Sequence, residues 1–231
     1  MKIVDRGLNW IWRVLIMVGL ILGVITPPML LRLINQLKGV QSMIGWRIAM
    51  TILYFVVFFL VSFAAANAMR HYTGVYQLSK LQIRDWRLIF GGYLLIVILE
   101  SSFEIINRLI YHQTQTQNNL AIKNLMSGSS LAFWMMGLSA IFLTPLMEEY
   151  VFRGALTNLF FNREWLKVLL SGLVFGSLHN SSTWPSFLTY VMMGLILATV
   201  YRLSGKIQVA IILHFVINAA AIGLMMLQLK S

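Results

Sequence analysis

The chain has 231 residues, of which 59% are hydrophobic, 13% aromatic and 11% charged, and its mean hydropathy of +0.79 is too apolar for a water-soluble domain. A formal charge of +11, from 18 Lys and Arg against 7 Asp and Glu, would in a soluble protein point to nucleic acid. Here the basic residues cluster between apolar runs, where anionic headgroups and membrane topology account for them, so membrane lipids are the expected partners and nucleic acid is not. With no cysteine, disulfides, thiol catalysis, cysteine-ligated metal and palmitoylation are excluded.

The composition implies an all-α fold, a polytopic transmembrane helix bundle forming one integral membrane domain over residues 1–231. At roughly 20 residues per span, it has room for about seven spans, with six to eight as the range. Apolar runs place them near residues 10–31, 46–68, 88–110, 130–161, 165–180, 184–202 and 207–229. Lys2, Arg6 and Arg13 before the apolar stretch Val14–Ile25 imitate a signal peptide. The stretch instead runs into Thr26-Pro27-Pro28 without a small-x-small cleavage site, so it reads as a retained first span with a proline break.

Between the second and third spans, Leu78 to Arg87 mixes basic and apolar residues and reads as either a helix lying in the cytoplasmic interface or an ordinary loop. The polar segment Tyr111 to Ser130 is expected to be an exposed loop dividing a three-span front half from a four-span back half. With the N-terminus cytoplasmic, eleven basic residues fall inside (Lys2, Arg6, Arg13, Arg70, Lys80, Arg84, Arg87, Arg163, Lys167, Arg202, Lys206). Six fall outside (Arg32, Lys38, Arg47, Arg108, Lys123, Lys230), which favours N-in, C-out in a cell membrane.

Ionisable residues within membrane spans are expensive and mark functional sites by default. The fourth span carries Glu148, Glu149 and Arg153. Glu149 and Arg153 are spaced i, i+4 with the carboxylate N-terminal, the favourable order for an intrahelical ion pair. Glu148 points about 100° away from Glu149 around the helix, so the two need not share a role. From the polar turn at Arg163, Glu148 lies 15 residues back and His179 16 residues forward. In a continuous antiparallel hairpin that puts both roughly 22–24 Å from the turn, at nearly one depth. His214 and Asn218 share a face of the last span, but only about 13–20 Å beyond the Ser204-Gly205 turn, so the hairpin must protrude or the last helix tilt for the depths to agree. Each polar residue also has a plain alternative: His179 at an interface, His214 satisfied in the core, Asn218 as a bridge between helices.

Glu148-Glu149-x-x-x-Arg153, Phe175-x-x-x-His179 and His214-x-x-x-Asn218, in that order, resemble the three motifs of the CAAX protease and bacteriocin-processing (CPBP, or Abi) family. The resemblance covers residues 130–225 as a catalytic core and implies an intramembrane endopeptidase acting on a peptide or protein substrate. It implies Glu148 as general base, His179 as its partner in positioning water, His214 and Asn218 as the oxyanion site, and Glu149 and Arg153 as their support. A short chain of this kind resembles bacterial members linked to bacteriocin maturation or self-immunity.

Two histidines and a glutamate are also a zinc-like donor set. The resemblance points instead to a metal-independent, glutamate-type peptidase with no cofactor, and His-Glu-x-x-His is absent. The rival functions are a catalytically idle membrane protein that confers immunity by binding a receptor, and a proton-coupled transporter. On the third span Glu100, Glu104 and Arg108 form a stripe that either pairs internally or lines a substrate path. Gly172, Gly176 and Ser177 suit close helix packing.

Overall fold

The structure, a computed structural model, describes residues 2–74, 78–160 and 162–229, with side chains from Asn9 onward. Lys230, counted above in the outer set, lies outside the described residues. The architecture is all-helical: α1 (Lys2–Gln36), α2 (Ile44–Thr73), α3 (Ile83–Tyr111), α4 (Gln117–Ser127), then a single broken span made of α5 (Ser130–Leu138), α6 (Thr144–Glu149) and α7 (Thr157–Leu159), followed by α8 (Glu164–Ser177), α9 (Trp184–Ser204) and α10 (Ile207–Gln228). π-helical segments, Ser139–Leu143 and Tyr150–Leu156, join the pieces of the broken span.

Six helices among the described residues are long and apolar enough to cross a bilayer: Asn9–Gln36, Gln41–Thr73, Ile83–Tyr111, Ser130–Leu159, Trp184–Ser204 and Ile207–Gln228. The chain is a multi-pass membrane protein. The seventh expected span is α8, whose 14 residues rise about 21 Å, short of the roughly 30 Å hydrocarbon thickness. It nonetheless returns the chain to the far end, since Thr183, just beyond it, donates to Asn107 Oδ1 (2.7 Å) near the end of α3.

Side-chain contacts sort the helix ends into two faces. At one face Arg13 donates to Leu159 O (2.5 Å), Arg84 to Leu203 O (3.0 Å), and Lys206 pairs with Asp85 (2.6 Å). At the other, Asn35 donates to Leu125 O (2.9 Å), Lys38 to Gly128 O (2.9 Å) and Lys123 to Gln228 (2.9 Å). Exposed tryptophans gather at both: Trp10, Trp12, Trp86 and Trp165 at the first, Trp46 and Trp184 at the second, as an aromatic belt at each interface requires.

Three expectations change. The first span has no break: α1 runs through Pro27 and Pro28, the two missing donors falling at neighbouring positions of a helix packed along α2. No separate interfacial helix forms at Leu78–Arg87. Residues 78–82 are non-helical, and α3 starts at Ile83 because the Gln82 N–H donates to Asp85 Oδ2 (2.8 Å), a reciprocal cap. The polar segment 111–130 is no open loop but contains α4. Thr116 caps it by accepting from the Asn119 N–H (3.2 Å), and Met126 is buried, so the helix lies on the bundle by its apolar side.

The core centres on Phe152, Phe175, Leu197 and Leu213, all at most 1% exposed. α8 and α9 cross closely because glycines face each other there. A Cβ on Gly176 would stand 2.9 Å from Val191 N, and one on Gly194 2.9 Å from Gly172 Cα. That contact holds α8 firmly enough to carry a side chain just past its C-terminus at fixed depth.

Candidate active site

The broken span carries Glu148 and Glu149 between two π segments, a form of helix found mostly at functional sites, and Arg153 within the second of them. Pro145 explains the upstream one: it has no N–H, and the preceding Thr144 N–H reaches five residues back to Ser139 O. Glu149 and Arg153 are fully buried, Glu148 and His214 nearly so.

Glu149 is the hub. Its Oε1 accepts from Arg153 Nη1 (2.9 Å) and from His214 Nδ1 (2.7 Å). Arg153 also donates to Gly194 O (3.2 Å) and lies over the Phe175 ring, 4.6 Å from its centroid. α9 and α10 supply part of the hydrogen bonding that so deep an ion pair needs, while Glu149 Oε2 and Arg153 Nε have no partner among the described residues. The pairing of Glu149 with Arg153 was legible from spacing; the hold on His214 was not, because it joins helices 65 residues apart.

Glu148 faces the other way, into a cavity of about 460 Å³ that His179, His214 and Asn218 also line. Its buried Oε2 has no hydrogen-bond partner among the described residues, and the nearest imidazole nitrogen, His214 Nε2, is 3.9 Å away. This contact answers the depth question left by spacing: His214 reaches Glu148 and Glu149 both. Neither helix of the hairpin is the continuous rod that the counting assumed. The first carries π turns, and the second ends at Ser177, leaving His179 in the following turn.

His179 Nδ1 bonds to Phe175 O (2.7 Å), and a carbonyl only accepts, so Nδ1 carries the proton and Nε2 is left as an acceptor. The ring is held between Phe175 and Tyr190, each with its centroid 4.4 Å away. No direct hydrogen bond joins His179 to Glu148; they share the cavity wall. Asn218 donates one amide hydrogen to Ala140 O (2.8 Å), keeping its second N–H. Tyr190 was not singled out from sequence, though it sits in the segment resembling the family. Its hydroxyl bonds Thr116 Oγ1 (2.8 Å), tying the α4 cap to the ring that stacks on His179. The polar run before α4 was the only signal for that contact.

Among the described residues no three His, Asp or Glu side chains are grouped so as to hold a metal ion.

Of the glycine and carboxylate stripes, Gly172 and Gly176 pack as expected, while no ion pair joins Glu100, Glu104 and Arg108 among the described residues.

The UPF0177 protein YbdI of Lactococcus lactis is 28% identical over 167 residues, covering 71% of this chain and 87% of that protein. The UPF0177 protein YajF of the same organism is 28% identical over 131 residues, 56% of this chain and 63% of its own length. No solved structure matches significantly. Residues 130–220, the stretch that carries Glu148, His179, His214 and Asn218, match the family described as type II CAAX prenyl endopeptidase Rce1-like, which is the resemblance the three motifs indicated.

Proposed function

We propose that the protein is an intramembrane endopeptidase that hydrolyses a peptide bond by glutamate-activated water attack. The observation that carries this reading is Glu148: a buried carboxylate facing a cavity, with an oxygen that no protein group occupies, beside two imidazoles fixed through Nδ1. Buried polar atoms are otherwise almost always satisfied, and those that are not call for an explanation.

In the proposed reaction Glu148 takes a proton from water, while His179 Nε2 accepts a hydrogen bond from the water's second hydrogen. The water oxygen adds to the scissile carbonyl carbon. The resulting oxyanion is met by the second amide hydrogen of Asn218 and by His214 Nε2–H, the imidazole being doubly protonated and its charge matched by Glu149 at 2.7 Å. Glu148 then returns its proton to the leaving nitrogen as the C–N bond breaks. No step is routed through a metal. The excess of basic residues on one set of loops supports N-in, C-out insertion. The relatives from Lactococcus support a bacterial setting, and with it bacteriocin maturation, self-immunity or related peptide processing.

The test compares membrane and secreted peptides from cells carrying the intact protein and Glu148→Ala. A cleaved peptide present only with the intact protein is expected, with purified Glu148→Ala and His179→Ala each at least about 100-fold slower. Full activity in either variant refutes the mechanism. Immunity that survives substitution of Glu148, His179 and His214 together would refute a role for catalysis in it.

A further inference from the structure

The catalytic cavity holds a second carboxylate that the proposed chemistry does not use. Glu100, on α3, lines the same cavity as Glu148 and His179. It also lines a smaller recess of about 70 Å³, with Glu104, Asn107 and Thr116, that opens beside it. Among the described residues it has neither a hydrogen bond nor an ion pair, and Arg108, one turn beyond Glu104, does not pair with the stripe. Arg32 lines the cavity from α1 and makes no ion pair with Glu100 either. A carboxylate in the interior of a membrane span, left without a cation by its own chain, is costly unless something else supplies one.

We infer that Glu100 selects substrates carrying a basic group, a Lys or Arg side chain or an N-terminal ammonium, a few residues from the scissile bond. This rests on the cavity being the peptide site proposed above. The spacing follows from helix geometry. Gly92 of α3 lies against Leu213, the neighbour of His214. Glu100 is eight residues further along α3, about 12 Å nearer the α4 end. An extended peptide advances about 3.3–3.6 Å per residue, so the cation belongs within about four residues of the bond that Glu148 attacks. Tyr190 and Asn119 line the same cavity as the two carboxylates.

The probe is a set of Leu- and Ala-rich peptides in which a single Lys is walked along the sequence, with a matched set bearing norleucine. Binding is measured to Glu148→Gln protein in nanodiscs, so that nothing is consumed. At one register the Lys peptide should bind at least tenfold more tightly than its norleucine counterpart. That preference should vanish when Glu100→Gln is added. With Glu100→Lys it should invert towards a peptide bearing Glu at the same register, an effect no purely structural role for Glu100 would produce. Equal binding of the Lys and norleucine sets at every register, or a preference unchanged by Glu100→Gln, overturns the inference. Cleavage of the same peptides by protein with Glu148 intact is scored separately: selective binding without cleavage would count against the peptidase reading and leave the role of Glu100 standing.

Discussion

Replacing Glu149 by Gln removes one charge from a fully buried pair while keeping the side chain's shape, and its cost can be worked from the contacts. Breaking a buried ion pair from one side costs about 3–5 kcal/mol, because the remaining charge is stranded. Arg153 would retain Gly194 O at 3.2 Å and the face of Phe175 at 4.6 Å. Both contacts are present before and after the change, so they offset none of that cost, and the expected loss stays at about 3–5 kcal/mol. Arg153→Met should cost about 3–5 kcal/mol by the same argument, since Glu149 is then left with His214 alone. Replacing both, Glu149→Gln with Arg153→Met, removes the two charges of the pair together. The Gln oxygen still accepts from His214 Nδ1–H, while Gly194 O loses its Arg153 donor and the Gln amide group is left unfilled, at about 1–3 kcal/mol that the apolar Met offsets in part. The double variant should therefore lie within about 2 kcal/mol of the parent, far from the sum of the singles. Unfolding of the purified protein in detergent micelles, followed by circular dichroism against SDS fraction, reads all four corners of the cycle. Peptidase activity should fall most where Glu149 is replaced, because His214 Nδ1 then loses its carboxylate partner. Additive destabilisation, or a Glu149→Gln variant within about 1 kcal/mol of the parent, would refute the account of Glu149 as the hub of a buried network.

Gly176→Ala should destabilise by about 1–3 kcal/mol, since its Cβ would meet Val191 N at 2.9 Å, while Gly91→Ala, with open space around it, should be neutral or stabilising; thermal unfolding separates them. Tyr190→Phe should cost about 0.5–1.5 kcal/mol by losing Thr116 while keeping the stack on His179, and hydrogen exchange should rise in α4 before it rises in α8. Pro145→Ala should lower kcat at least about tenfold with little loss of stability, measured as kcat against melting temperature; equal falls in both would refute a positioning role.

What could be read in the sequence, and what could not, divides by range. Span positions followed from apolar run length, and the ion pair of Glu149 with Arg153 from spacing on a single helix. Glu148, His179, His214 and Asn218 were assembled by their motifs, and the cavity brings them to one place. What was missed is non-local or depends on backbone form. The capture of His214 by Glu149 and the tie between Tyr190 and Thr116 join residues 65 and 74 apart, and no periodicity carries such a pairing. Segment 111–130 was read from its polarity, yet Met126 and the Thr116 cap make part of it a helix against the cavity. α8 was counted as a full span because the apolar run continues past Ser177, while its helix does not.

Pro145 positions a functional group through the donor that it lacks. In a regular α-helix Ala140 O would accept from the Thr144 N–H, but here that N–H is drawn back to Ser139 O. The π pattern would next satisfy Ala140 O from residue 145, which is proline and has no N–H to give. Ala140 O is therefore left free inside the membrane, where an unfilled carbonyl is costly, and the Asn218 amide fills it at 2.8 Å. The missing donor thus decides where Asn218 points, and with it the second amide hydrogen that the proposed oxyanion site requires. An alanine at 145 would offer an N–H to Ala140 O from within the same helix and compete with Asn218 for it. The helix would gain a backbone bond while the site lost a fixed donor, which is why activity and stability are expected to part company at this position.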